Sequence, residues 1–274
     1  MSEPVFSFNN QDPEMERAYQ AAQASFRYFW RELSWERRRI VPGLDMTMVK
    51  LRFTDGPRTD GNSECEYMWI GEIGFDGDSV SGTLLNSPNW LTSVREGDAV
   101  SAPFRHLSDW MMTADGRAYG GFTVNVMRSR MSRSERDDHD RAWGIDFGEP
   151  ADIQIEIRRE TKPEAGLSPS LFGRGSPPQV APEGFSDHPM CVNMIPKFGA
   201  QLQADRSIAT TVFDDGWTLL HQEALSGNLG VVKLLLSYGA NTSARTPKGY
   251  TAAELAKKIG WSGIADYINE HANA

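Results

Sequence analysis

Residues 216–268 state one pattern twice. Gly216-Trp-Thr-Leu-Leu-His221 opens a segment that passes through Ala224, Gly227, Val231-Val232 and Leu234-Leu235-Leu236 to Gly239-Ala240. The frame restarts at Gly249-Tyr-Thr-Ala-Ala-Glu254, with Ala256, Gly260, Ile264 and Tyr267-Ile268 in the matching places. The offset, Gly216 to Gly249, is 33 residues. Periods of about 20–50 residues belong to stacked arrays, in which each supersecondary unit buries its apolar face only against its neighbours. Two units leave an open end that something else must cover. Met190 to Ala204, followed by Arg206 to Val212, reads as a degenerate first helix pair that caps the array.

The motif of these units resembles the ankyrin repeat. Gly216-x-Thr218-Leu-Leu-His221 follows the family pattern Gly-x-Thr-Pro-Leu-His with Leu219 in place of proline, and Glu223 stands where alanine is usual. In the second unit Glu254 replaces the histidine, as in a terminal repeat. The resemblance implies that Thr218 and His221 hydrogen-bond within and between turns, so His221 is structural. It also implies an all-α module that holds another protein, with Phe213, Asp214, Asp215, Trp217, Lys248 and Tyr250 at the loop tips as contact candidates.

The preceding sequence has a different rhythm. Pro13 and the spacing of Ala18, Ala21, Ala22, Phe26, Phe29, Trp30 and Leu33 predict a helix over 13–39. Its end, Glu36-Arg37-Arg38-Arg39, is either a contact for an acidic partner or, as such clusters more often are, a solvated last turn whose charges suit the helix dipole. Strands are predicted at Met46–Phe53, Glu66–Phe75, Ser79–Leu85 and Asp98–Phe104, then as a pair flanking Thr113-Ala-Asp-Gly-Arg and running through Gly120-Gly121 to Met127. Asp76-Gly77-Asp78 is a hairpin signal. Arg128 to Trp143 reads as a solvated helix, and the alternation of Ile153, Ile155 and Ile157 as a last strand. The fold class is therefore α+β, a long helix with a mainly antiparallel sheet, followed by the ankyrin-type helices. Five prolines among glycines and serines mark 162–186 as a linker, which divides the chain into 1–161, 162–186 and 187–274.

The net charge of −9 sits almost wholly in the first part, where 1–161 carries 19 basic and 27 acidic side chains. Asp55, Asp60, Glu64, Glu66, Glu72, Asp76 and Asp78 face a single base, Arg58. This is a solvated acidic face or a patch that steers a basic partner. It disfavours direct nucleic-acid binding, because phosphate contacts need Lys and Arg. No run approaches a membrane span, no secretory leader is visible at the N-terminus, and Cys65 and Cys191 form no C-x-x-C pair. A cytoplasmic protein without cofactor or metal is expected. No nucleotide loop, nucleophile elbow or histidine pair is present, and the acids of Asp137-Asp138-His139-Asp140 point different ways on a helix.

From about Ala18 to Arg128 the chain resembles the YegJ-like bacterial family of unknown function. The pieces are the Ala- and Phe-rich helix, Glu66-Tyr-Met-Trp69, the Leu85-Asn86-Ser-Pro88 turn, Gly97-Asp98, Ser108-Asp109-Trp110-Met111 and Gly120-Gly121-Phe122-Thr123. They imply no reaction. Trp69 and Trp110 are expected in the core, with Asn86 and Asp109 tying turns; the rival reading is a ligand groove lined by these same residues. The two resemblances together imply a non-catalytic protein-binding chain. Its sharper form is an immunity protein that neutralises a bacterial toxin, such as a secreted nuclease with a basic cleft. The alternatives are an enzyme in the first part, betrayed by Asn86, His106 and Asp109 converging in one deep pocket, and an ankyrin adaptor unrelated to toxins.

Overall fold

The computed structural model describes residues 12–56, 65–157 and 186–272. The linker expected at 162–186 falls outside them apart from Ser186, as do the candidates Asp60 and Glu64. The first element, α1 (Pro13–Glu36), starts where Asp12 accepts the N–H of Glu14 and Pro13 occupies the first turn. Strands β1 (Met46–Phe53), β2 (Glu66–Phe75), β3 (Ser79–Leu84), β4 (Ala99–Pro103), β5 (Leu107–Ala114) and β6 (Arg117–Gly120) form one antiparallel sheet in the order β4-β3-β2-β1-β5-β6. Alternation sorts its two faces. Val49, Leu51, Trp110 and Met112 join the core under α1, whereas Met48 and Met111 pack with Val124 and Phe147 on the other side.

One expected strand is cut short and another is absent among the described residues. Phe122–Ser129 is helix α2, not the end of a strand, because Gly120 and Gly121 both adopt positive φ (76° and 69°) and turn the chain out of the sheet. Residues 151–157 form no strand. Ile153, Ile155 and Ile157 lie half-buried against the core in irregular chain, tied to the sheet by the Gly120 N–H donating to Gln154 O at 2.8 Å. The charged stretch after α2 becomes α3 (Arg133–Trp143), closed by a capping box between Ser132 and Glu135.

In the last part, α4 (Pro189–Ala204) and a 3₁₀ turn at Arg206–Ala209 precede the two repeat units, α5 (Leu219–Leu225) with α6 (Leu229–Ser237), and α7 (Ala252–Ile259) with α8 (Ser262–Ala272). Thr218 and Thr251 cap α5 and α7 through boxes closed by His221 and Glu254, which occupy the same place in the frame. His221 also meets Ala244 O at 2.9 Å across the unit boundary, so it is a turn-to-turn strut. No helix among the described residues is long and apolar enough to cross a membrane.

As read from the sequence, α4 packs on α6 at the first end of the array, while α1 lies across the turns of both units, at Ser226 and Asn228 and at Gly260 and Trp261. Residues 29–35 of this helix are all buried, so no side of it faces water there. A single apolar cluster runs from Val49, Ile70 and Trp110 in the sheet through Phe29 and Trp35 to Leu225, Val232 and Leu255 in the repeat.

Candidate protein-binding surface

The repeat holds α1 through polar and aromatic groups. Trp35 Nε1 donates to Asn228 Oδ1 at 3.0 Å, and Asn228 Nδ2 donates to Glu223 Oε2 at 2.6 Å. Glu223 in turn pairs with Arg38 at 2.8 Å. The carboxylate that departs from the ankyrin pattern is thus the one that reaches α1. Ser226 Oγ donates to Ser34 Oγ at 2.9 Å. His188 caps α4 through the Met190 N–H, meets Glu32 Oε1 at 2.9 Å and stacks on Trp35 with ring centroids 5.6 Å apart. Further along, the guanidinium groups of Arg27 and Arg31 each lie 5.1 Å from the Trp261 ring, and Tyr28 meets that ring edge-on. The basic stretch after α1 is solvated only in part: Arg37 and Arg38 are exposed yet lie over Trp30 and Trp35, while the Arg39 side chain is 7% exposed and pairs with Glu36.

A second contact joins the β2–β3 turn to the loop before α7. Lys248 Nζ lies 2.8 Å from Asp76 and 3.8 Å from Asp78 and donates to Ser79 Oγ at 3.1 Å. Lys258 Nζ lies 3.1 Å from Asp78 and from the Tyr250 hydroxyl, and 4.3 Å from the Tyr250 ring centroid. The Tyr250 hydroxyl is 3.5 Å from Asp78. Lys258 holds the Asp78 carboxyl below the usual range, and the Asp76 carboxyl is also lowered because Lys248 and the turn N–H groups outweigh its burial. Gly77, at φ 89°, packs so closely that a Cβ there would lie 2.4 Å from Leu255 Cδ2. The acidic turn nominated for a basic partner meets bases of its own chain.

The other nominated residues divide by what they hold. Glu66 is 5% exposed and accepts the N–H groups of Asn89, Trp90 and Leu91 at 2.7–3.0 Å. Asp55 accepts the N–H and hydroxyl of Thr92 and Ser93, and these donors, the Ser93 hydroxyl first, lower its pKa to about 2. Glu72 is exposed at φ 54° in a β2 bulge and accepts the Thr83 hydroxyl at 2.6 Å. Asp214 and Asp215 are exposed, Asp215 accepting the Trp217 N–H at 3.0 Å. Trp217 is half-buried, edge-on to His221, and lines a cleft of about 440 Å³ with Trp30, Arg37, Asp76 and Gln222.

Asp109 does not line a groove. It is 0% exposed and accepts the N–H groups of Phe122 and Thr123 at 2.9 and 2.7 Å and the Thr123 hydroxyl at 2.6 Å, which caps α2. Burial pushes its pKa up, against Lys50 and these donors. Asn86 is exposed and accepts the Trp69 N–H at 3.0 Å. Trp110 is fully buried, with its indole N–H on Ala22 O at 3.0 Å; Trp69 is half-buried with Lys50 Nζ over its ring. Asp140 is engaged by Arg128, and among the described residues no group of three His, Cys, Asp or Glu is placed to hold a metal.

With this geometry, the comparisons with known proteins gain meaning. Residues 12–147 match a family model described as an uncharacterized protein conserved in bacteria (DUF2314), and residues 215–247 match the ankyrin repeat. A Neisseria meningitidis serogroup B protein, described as an ankyrin repeat protein, is 41% identical over 96% of this chain and 96% of its own. The chain belongs to that protein's family. Escherichia coli YegJ, an uncharacterized protein, is 28% identical over 34% of this chain and 58% of its own. Mouse protein phosphatase 1 regulatory subunit 27 is 37% identical over 26% of this chain and 46% of its own. No solved structure matches the chain. The α+β fold followed by ankyrin helices and the likeness to YegJ stand as read from the sequence, and the ankyrin units make the chain a protein-binding module.

What the sequence missed is where α1 goes. Its arginines and Trp35 lie on the flank away from Phe26 and Phe29, and the unusual Glu223 was the available signal that the repeat faces a base.

Proposed function

We propose that this chain is a cytoplasmic, non-catalytic inhibitor that holds and neutralises a bacterial toxin, a basic domain such as a nuclease. The supporting observation is that the repeat clamps an acidic body: Glu223, Asn228, Lys248 and Lys258 are engaged with α1 and the β2–β3 turn of the same chain. The ankyrin units brace that body instead of forming a separate groove. Asp76 and Asp78 are met by the repeat, yet the exposed Asp55, Glu72, Glu96 and Asp98 remain on the sheet side. A rigid acidic surface suits the cleft of a basic enzyme, speeds encounter and repels nucleic acid. The test is co-purification of the full chain with the product of the adjacent gene, followed by stopped-flow association in rising salt. A tight complex whose association slows with salt is expected. An adjacent product that is harmless to cells and does not bind removes the toxin reading.

A further inference from the structure

The loop from Leu85 to Asp98 is long and lacks regular structure, yet it is pinned throughout. Asn86 holds the Trp69 N–H; Glu66 holds three consecutive N–H groups, Asn89 to Leu91. Asp55 holds Thr92 and Ser93; Glu96 accepts the Ser87 hydroxyl at 2.7 Å; Asp98 accepts the Arg95 N–H at 2.8 Å. Leu91 is the buried peg of the loop, at 7% exposure.

Beside this peg the loop turns large apolar groups outward. Trp90 is 43% exposed and Leu85 44%. A half-exposed tryptophan on a loop whose backbone is fixed by a buried carboxylate is prepared for contact, because little chain entropy remains to be lost on binding. Tryptophan is also among the residues that dominate binding energy at protein interfaces. Around Trp90 the exposed carboxylates Asp55, Glu96 and Asp98 stand against Arg95, the single base of the loop. An apolar anchor with an acidic rim fits a basic surface that offers an apolar slot.

We propose that the 85–98 loop, with Trp90 as its anchor, is the surface that grips the basic protein partner. This rests on the protein-binding reading above and assigns it a place: the pinned loop on the sheet side, away from the β2–β3 turn that Lys248 and Lys258 occupy. The loop motif lies within the region matched by the DUF2314 model, so the contact belongs to that part of the chain and not to the repeat.

The test places a photo-crosslinking amino acid in the full-length chain at position 90, and separately at 85, 192 and 214, inside the native host. The protein captured through position 90 is identified, purified and titrated against wild type, Trp90→Ala and Glu96→Lys. The expected result is a crosslink at 90 or 85 to one basic protein. Trp90→Ala should then weaken binding at least tenfold, and Glu96→Lys should slow association several-fold, with the slowing lost in high salt. The unfolding midpoint of Trp90→Ala should match wild type, since the backbone N–H at position 90 stays on Glu66; that of Glu96→Lys should fall only slightly, since it gives up one exposed hydrogen bond from Ser87. Crosslinks at 192 or 214 only, or a captured partner that binds Trp90→Ala as tightly as wild type, overturn this assignment and leave the protein-binding reading standing. No crosslink from any of the four positions overturns both.

Discussion

The two long flanks of α1 do different work. Towards the sheet, Ala22, Phe26, Phe29 and Leu33 pack with Phe75, Phe104 and Trp110 as an apolar core. Towards the repeat, the same helix presents Arg27, Arg31, Ser34, Trp35 and Arg38, each of which finds a hydrogen bond, carboxylate or aromatic face. The first flank is the inside of a domain. The second has the arginine and aromatic composition of an interface between proteins, now closed within one chain. The difference teaches that the repeat is recognised by α1 as a partner is, with apolar burial for strength and polar pairs for register.

That comparison orders the expected effects of substitution. Phe29→Ala, on the sheet flank, removes a ring that is 0% exposed and should cost about 3–5 kcal/mol, read as a lower urea midpoint. Asn228→Ala, on the repeat flank, strips partners from the Trp35 indole and from Glu223 and should cost about 1–3 kcal/mol. Fluorescence-detected unfolding would break the comparison if it ranked these two in reverse. Lys258→Ala removes a half-exposed bridge to Asp78 and should cost under about 1 kcal/mol, with midpoints shifting less in high salt.

The smallest effect is that of pH on the acidic turn. The folded pKa values of Asp76 and Asp78 lie below those of the unfolded chain. Their contribution is therefore full above the ordinary carboxylate range and is lost as pH falls through the folded values. Lys258 is shifted up, its bonds to Tyr250 and Asp78 outweighing burial, so its contribution is full below about 10.5 and lost as pH rises through the folded value. Wild type should thus lose its small advantage over Lys258→Ala only at the acid and alkaline extremes, as followed by thermal unfolding across pH.

Much of this architecture is legible in local sequence. The Asp76-Gly77-Asp78 turn and the bounds of β2 follow from short-range chemistry that the structure keeps, and the Thr218–His221 bonds implied by the ankyrin resemblance are present. The misreadings have a common cause. Phe122-Thr-Val-Asn-Val-Met has strand-like β-branched residues, but Asp109, 13 residues upstream, caps its N–H groups and makes it a helix. The isoleucines at 153, 155 and 157 alternate as a strand would, yet the register of a sheet partner is not written in their own segment. The nominated acids lie close together in the sequence, but their tasks were not legible there: Glu66 and Asp55 bind a loop 23 to 38 residues ahead, and Asp78 meets lysines 170 and 180 residues away.

The central claim is that the repeat and the sheet share α1 as one body. Fluorotryptophan labelling of the full chain places one reporter at Trp110, under the sheet flank, and another at Trp261, against Arg27 and Arg31. With their ¹⁹F resonances assigned by single Trp→Phe variants and followed through a urea titration, the account predicts coincident midpoints for the two. A Trp261 resonance that reaches its unfolded position while Trp110 remains native would contradict it.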